Sequence, residues 1–238
     1  MAQLSTFLRI FVAVSAVGMW SFAVLGEEDY PMHRSLDPSL EKKMDPSIAG
    51  MFDRDYYSRV PEIRNLVHTV EAYHMGPGLR KIKEGRYESA YSEFDFILRY
   101  YPNHPRALAL MGDLCVVLKR QEDGERYFKK ALSLFPNMTR SAKGITEREY
   151  GKMLFRFGDM ERARDMLKQS VAHDDFPGET HYYLGLVYLA EKNYTQANFH
   201  AQKAYARKYP LTELRDKLKA ADAWKPEAVG KTASSKDK

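Results

Sequence analysis

Apolar side chains recur three and four residues apart through most of the chain after residue 60. In the segment LTELRDKLKAADAW, for example, the helical spacing links Leu211, Leu214, Leu218, Ala221 and Trp224. Such spacing places apolar groups on one face of an α-helix, whereas a half-buried strand alternates apolar and polar residues. No stretch after residue 60 sustains that alternation. The pattern therefore predicts an all-α fold.

The helical pattern repeats with a period of about thirty-four residues, which is typical of arrays of helix–turn–helix units. Gly185 lies thirty-four positions after Gly151, and the same interval relates three further pairs: Ala163 and Ala197, Phe94 and Phe128, and Pro102 and Pro136. A glycine inside a helix costs about 1 kcal/mol relative to alanine, so its recurrence needs a packing reason. We expect the small residues to let two paired helices approach closely, and the bulky ones to fill the seam to the next pair.

These residues resemble the tetratricopeptide repeat (TPR) family, whose pattern is Leu-Gly and an aromatic on one helix, Ala and Phe on the next, and a closing Pro. Three units match: the second through Met111-Gly112, Phe128, Ala131 and Pro136, the third through Tyr150-Gly151 and Ala163, and the fourth through Leu184-Gly185, Tyr188 and Ala197. A first unit is degenerate, because Pro77 stands where its first helix should run. The resemblance implies a TPR-type solenoid of antiparallel helix pairs over residues 62–224, with about four units, about nine to eleven helices and a C-terminal capping helix.

The first 26 residues differ from the array. A short segment ending at Arg9 precedes an uncharged, mostly apolar run over residues 10–25, which Gly26 and three acidic residues end. This arrangement predicts a secretory signal peptide, with cleavage after Gly26 or, alternatively, after Ala23. The other interpretation is an uncleaved N-terminal anchor, although the run is shorter than the ~20 residues that span a bilayer. Both place the array outside the cytoplasm, either in a periplasm or anchored to an inner membrane and facing the periplasm.

Two further segments lie outside the predicted array. Residues 27–61 contain four prolines and charges of both signs, so we expect a linker with short helical turns. Residues 225–238 end in the polar stretch GKTASSKDK, and we expect them to be disordered. The amphipathic segment before this tail is expected to cover the apolar face of the last unit. Its basic residues leave a membrane-surface helix as the alternative.

No arrangement of residues predicts catalysis, a metal site or a cofactor. The seven histidines form no His-x-x-x-His or Cys/His spacing, and the chain has no phosphate loop, dinucleotide fingerprint or Gly-x-Ser-x-Gly motif. Cys115 is the only cysteine, so no internal disulfide can form, and its position predicts a small buried apolar residue. We therefore expect a protein that is not an enzyme and uses no cofactor.

The resemblance makes the groove of the array the expected binding surface. In the TPR family the first helix of each pair lines a concave face, which commonly holds an extended peptide or a partner's helix. Carried onto this sequence, that face would present Arg148, Lys152 and Arg156, which lie four residues apart and hence on one side of a helix. The neighbouring units would add three more residues, Arg106, Tyr182 and Leu186.

The three cations of this strip repel one another and need a partner. A basic strip with aromatic and apolar neighbours suits an acidic peptide or a C-terminal carboxylate, held by charge-assisted hydrogen bonds. The alternative is an ordinary solvated surface that is offset by Glu147, Glu149 and Asp159.

The overall charge does not favour a nucleic-acid partner. The formal net charge is +5, of which Arg9 is the only contribution from residues 1–26, and the aromatic residues fall at packing positions. We expect a non-catalytic adaptor or assembly factor of the cell envelope that binds a protein partner through its groove. The alternative is a module that recognises cell-wall glycan or another anionic surface. Membrane contact would come only through an uncleaved N-terminal segment.

Overall fold

The structure, a computed structural model, describes residues 52–175 and 177–226. Within these ranges the backbone forms nine α-helices and no strand, which confirms the predicted all-α fold. In chain order they are α1 (Pro61–Lys83), α2 (Tyr87–Tyr100), α3 (Pro105–Leu118), α4 (Gln121–Leu134), α5 (Arg140–Phe157), α6 (Met160–His173), α7 (Gly178–Ala190), α8 (Tyr194–Ala206) and α9 (Glu213–Ala220). The predicted signal segment, the linker before residue 52 and the tail after residue 226 lie outside the described residues.

The turn inside each helix pair has a recurring conformation. The pairs are α1/α2, α3/α4, α5/α6 and α7/α8, and each turn contains one residue with a positive φ: Gly85 (72°), Lys119 (58°), Gly158 (87°) and Lys192 (59°). The intervals between these residues are 34, 39 and 34 positions. The extra residues between the second and third units account for the interval of 39. A left-handed residue is therefore a fixed part of the repeat.

Small residues allow the paired helices to approach closely. A methyl group on Gly151 would lie 2.7 Å from Leu167 Cγ and 3.2 Å from the carbonyl oxygen of Ala163 on α6. A methyl group on Gly185 would lie 2.5 Å from Leu214 Cδ2. Atoms at these distances overlap, so a larger residue would force the helices apart or displace their side chains. The predicted packing role of these glycines is confirmed.

The first unit is more regular than its sequence indicates. α1 continues through Pro77, although a proline inside a helix costs about 3 kcal/mol. Pro77 and Gly78 are both buried, and the ring of Phe94 on α2 lies 2.6 Å from the position of a Gly78 Cβ. Gly78 precedes Gly112 by thirty-four residues and is the small residue of this unit. The expected interruption at Pro77 is therefore wrong, because packing against α2 offsets the lost hydrogen bond.

The short helix α9 covers the last helix pair. Leu214 and Leu218 are fully buried, and Leu214 lies directly against Gly185 of α7. Beyond α9, the side-chain amide of Asn198 on α8 accepts a hydrogen bond from the Lys225 N–H at 2.9 Å and donates one to its carbonyl at 3.1 Å. The C-terminal segment therefore has the capping position that the repeat pattern predicts.

A buried histidine pair joins α7 to α8. His181 and His200 are 0% and 7% exposed, and their Nδ1 atoms lie 3.0 Å apart. His181 Nε2 lies 3.1 Å from the carbonyl oxygen of Asp175, which can only accept, so His181 donates there and accepts at Nδ1 from His200. Burial lowers the pKa of both rings, that of His200 to about 4. Both histidines are therefore neutral at pH 7.

The turn residues provide a first test of the repeat. Lys119 and Lys192 are exposed and stand in left-handed positions that hold glycine in the other two units. A left-handed conformation costs a non-glycine residue about 1–2 kcal/mol, and the entropy of glycine offsets part of the gain, so Lys119→Gly should raise the free energy of unfolding by about 0.5–1 kcal/mol. Gly158→Lys should lower it. Urea unfolding measures both changes, and a less stable Lys119→Gly variant would contradict the shared turn.

Mild acid should destabilise the array through the histidine pair. A histidine in the unfolded chain titrates near pH 6.5, whereas folded His200 titrates at about 4, so the unfolded state binds a proton first as the pH falls. Between pH 7.5 and pH 5 we expect His200 to remove about 2 kcal/mol from the free energy of unfolding. Urea unfolding at both pH values measures the loss. His200→Gln should show a smaller pH dependence, and an equal dependence in this variant would exclude His200 as the cause.

Candidate functional site

Arg148, Lys152 and Arg156 lie along one side of α5, as their spacing predicts. Their side chains, however, are only 16%, 17% and 15% exposed. Each cation bonds to at least one carboxylate. Two of these carboxylates belong to neighbouring helices: Asp113 to α3 and Glu179 to α7. The expected strip of mutually repelling cations is therefore not observed, because α5 lies between two helices that supply opposite charges.

Two carboxylates hold Arg148 and Lys152 together. Arg148 Nε lies 2.8 Å from Glu149 and 3.3 Å from Glu179. Lys152 Nζ lies 2.8 Å from Glu149 and 2.7 Å from Glu179. Glu149 belongs to α5, whereas Glu179 lies in the first turn of α7. The four side chains therefore tie the third unit to the fourth.

Arg156 ties the third unit to the second. Its guanidinium donates a hydrogen bond to Oδ1 of Asp113, the residue after Gly112 on α3. We call the complete set the concave charge cluster: Asp113, Arg148, Glu149, Lys152, Arg156 and Glu179. It contains three cations and three carboxylates, so its formal net charge is zero.

The central charges of this cluster depend on one another. Burial alone would raise the pKa of Glu149, but Lys152 and Arg148 hold that pKa below its ordinary value. Burial would lower the pKa of Lys152, but Glu149 and Glu179 raise it well above its ordinary value. Both groups are therefore charged at neutral pH. Removing either partner would leave the other charge poorly hydrated and without compensation.

Aromatic and apolar side chains border the cluster. The Lys152 ammonium lies 5.3 Å from the ring centre of Tyr183 on α7, within cation–π range. Phe155 packs edge-on against the same ring at a centroid distance of 6.0 Å. On α3, Val117 lies one turn beyond Asp113 and is 41% exposed. Tyr183 is buried and Phe155 is half-buried, so Val117 is the exposed side chain of these three.

The other predicted groove residues lie apart from the cluster. Arg106, near the start of α3, is exposed. Tyr182 is fully buried and Leu186 is 6% exposed, so both belong to the core and their predicted contact with a partner is corrected. The physical reason is the connection between α8 and α9, whose Tyr209 ring packs on Tyr182 at 4.8 Å and covers it.

Of the three carboxylates expected to offset the cations, only Glu149 does so. Glu147 is bonded to His173 at 2.7 Å, and Asp159 to Arg162 at 2.6 Å. The sequence did not indicate the partners on neighbouring helices, Asp113 and Glu179, which lie 43 and 27 residues from their cations. One signal was available for Asp113, since it follows the repeat glycine of its helix just as Lys152 follows Gly151.

Other kinds of site are not evident in the described residues. Residues 52–175 and 177–226 contain no group of three or more His, Cys, Asp or Glu side chains placed to hold a metal ion. No helix in these ranges is long and apolar enough to cross a membrane. Cys115 is fully buried, and burial raises its pKa to about 12, which confirms its predicted role as a small core residue.

Stacked antiparallel helix pairs with a charged concave face define a helical repeat scaffold. The sequence model of the tetratricopeptide repeat family matches residues 78–139 and 151–211, which together are more than half of the chain. The chain therefore belongs to the tetratricopeptide repeat family. Arrays of this family typically act as non-catalytic scaffolds that bind protein partners.

Individual relatives share parts of this architecture. The chain is 27% identical over 113 residues to the Protein CTR9 homolog of Arabidopsis thaliana, a match that covers 48% of this chain and 10% of that protein. The structure of Pseudomonas aeruginosa pilF has a TM-score of 0.51 at 20% identity, and the match covers 68% of this chain and 70% of the pilF chain. The structure of the APC/C hetero-tetramer Cut9–Hcn1 has a TM-score of 0.51 at 19% identity, and the match covers 62% of this chain and 29% of the matched chain. These structures show the fold alone.

The burial of the cluster predicts a stability effect that a solvated surface would not show. Lys152→Met removes a charge that Glu149 and Glu179 both bind, so the free energy of unfolding should fall by about 1.5–3 kcal/mol. Lys129→Met is the matched control, because Lys129 also binds a glutamate but is 63% exposed, and it should change stability by less than about 0.5 kcal/mol. Urea unfolding measures both. Equal effects would contradict the burial of the cluster.

Proposed function

We propose that this protein is a non-catalytic adaptor or assembly factor that binds a segment of a protein partner on its concave face, at the concave charge cluster. One observation carries the proposal: charges from three successive units meet at a single place on this face. The affinity of a partner that contacts the cluster would therefore depend on the relative positions of α3, α5 and α7. A surface of scattered solvated ions would offer no such arrangement.

Carboxylate exchange is the binding chemistry that this geometry favours. Glu179 has the most exposed side chain of the cluster, at 30%, whereas Glu149 is 7% exposed. An acidic side chain or a C-terminal carboxylate of the partner would take the place of Glu179 on Arg148 and Lys152, which keeps both cations compensated. Charge-assisted hydrogen bonds of this kind are the strong ones in protein recognition. The partner segment is therefore an acidic or C-terminal peptide.

The cell envelope is the compartment that we propose for this activity. The proposal rests on the apolar run over residues 10–25 and the acidic segment that follows it, which have the order of a secretory signal. A periplasmic array, released or anchored by this segment, would present its groove to other envelope proteins. N-terminal sequencing of the protein from an envelope fraction tests this directly, since cleavage should leave Glu27 first and retention in the cytosol would contradict export.

Partner binding should respond in opposite directions to two changes in the cluster. The partner is first recovered on the full chain from solubilised envelope, and its affinity is then measured. Arg148→Ala with Arg156→Ala should weaken binding about tenfold or more, because charged hydrogen bonds are lost. Glu179→Gln should strengthen it by about tenfold, because the competing carboxylate is neutralised. A merely destabilised array would not bind more tightly.

A matched control lies at the other end of α7. Glu191 is 25% exposed and binds Arg164 at 2.5 Å, outside the cluster, so Glu191→Gln should leave the affinity unchanged. Equal affinities for the wild type and the double arginine variant would contradict the proposed site. Retention on purified wall material, with no protein partner, would contradict the proposed function.

A further inference from the structure

Residues 52–60, which we call the N-terminal strap, are bound to the array although they precede its first helix. The Asp53 and Arg54 amides donate hydrogen bonds to the carbonyl oxygens of Arg99 and Tyr100 at 3.0 and 2.9 Å. These carbonyls end α2 and would otherwise lack helical partners. The Asp53 carboxylate also lies 2.5 Å from Lys130 Nζ on α4. The strap thus begins across the ends of two helices.

The next two residues are held by a side chain that recognises the backbone. Asn103 is fully buried, and its Oδ1 accepts a hydrogen bond from the Tyr56 N–H at 2.9 Å. Its Nδ2 donates to Asp55 Oδ1 at 2.7 Å. Both ends of one amide therefore bind the strap. Because both the oxygen and the nitrogen of the amide are bonded, the strap is held on Asn103 in one register, as a bound peptide would be.

The strap then places Tyr56 against the start of α3. The Tyr56 ring packs on His104, the residue that caps α3, with ring centres 4.4 Å apart. The half-buried Tyr57 ring packs edge-on against the Tyr56 ring, with ring centres 5.1 Å apart. The strap therefore lies over the turn between α2 and α3.

We propose that the N-terminal strap is an intrachain ligand of the α2–α3 turn, whose surface is a peptide-binding site. The site takes a segment with an acidic residue followed by an aromatic one, as in Asp55-Tyr56. The segment binds as a turn, because the Ser58 N–H donates a hydrogen bond to the Asp55 carbonyl oxygen at 3.0 Å.

An unbound linker would not show these features. A linker exposes its backbone N–H groups to water, whereas three strap amides have acceptors on the array. Release of the strap would leave the Asn103 side chain without either partner and would uncover the His104 ring, which is 1% exposed. The occupied state is therefore the one that satisfies the buried polar groups of the α2–α3 turn.

Hydrogen–deuterium exchange on the full chain tests the occupancy without any partner. The amides of Asp53, Arg54 and Tyr56 should exchange at least about tenfold more slowly than in an unstructured peptide. Exchange at the unstructured rate would overturn the proposal. In Asp55→Ala with Tyr56→Ala, protection in the strap should be lost while that of α3 to α7 remains. Ser58→Ala is the matched control, because Ser58 Oγ accepts a hydrogen bond from the Val60 N–H within the strap.

A second measurement tests whether the surface is a ligand site. A synthetic peptide with the sequence of residues 50–60, GMFDRDYYSRV, should bind the Asp55→Ala/Tyr56→Ala chain and not the wild type, in which the strap competes with it. Addition of Asn103→Ala should abolish this binding. No binding to the strap variant at millimolar peptide, or equal binding to both chains, would overturn the proposal. Because the probe comes from this chain, failure to find an envelope partner would not affect the result.

Discussion

The close approach of the two helices in each pair is the constraint on which the rest of the array depends. Gly151 and Gly185 lie so near the opposing helix or the capping helix that no larger side chain fits without movement. This contact fixes the distance within a pair. The fully buried ring of Phe128 stacks on Tyr150 of the next pair with ring centres 5.1 Å apart, whereas the fully buried ring of Phe94 packs against Gly78 of its own pair. Each unit buries its apolar face only through its neighbours, so α9 is needed where the neighbours end.

The same constraint creates the concave charge cluster. Because α3, α5 and α7 are held in register, Asp113 and Glu179 reach the cations of α5 from opposite sides. The resulting ion pairs are more buried than ordinary surface contacts, and Glu179 is their most exposed member. In the proposed function, stability and recognition use the same groups, and a partner would replace a carboxylate that is already present. Such replacement selects for the position of the partner's charge more than for its amount.

The helices could be predicted from the sequence because each repeat carries its own packing residues within a short stretch of chain. Gly112, Gly151 and Gly185 recur at helical positions, and they were sufficient to predict paired helices and their close packing. The first unit was harder, since Pro77 obscured the equivalent role of Gly78, and only tertiary packing shows that the helix tolerates the proline. For the site, a spacing of four residues predicted that Arg148, Lys152 and Arg156 share a face. It could not predict their burial or their partners, because these depend on the register between helices that are distant in sequence.

NMR of the arginine side chains tests directly whether the concave charge cluster binds the partner. In ¹⁵N-labelled protein, the Nε–Hε signals of Arg148 and Arg162 report on two carboxylate-bound arginines. Arg148 Nε donates to Glu149 within the concave charge cluster, and Arg162 Nε donates to Asp159 outside it. On addition of the partner recovered from the envelope, the Arg148 signal should shift as Glu179 is replaced, and the Arg162 signal should stay in place. A shift at Arg162 with none at Arg148 would contradict the central claim that the concave charge cluster binds the partner.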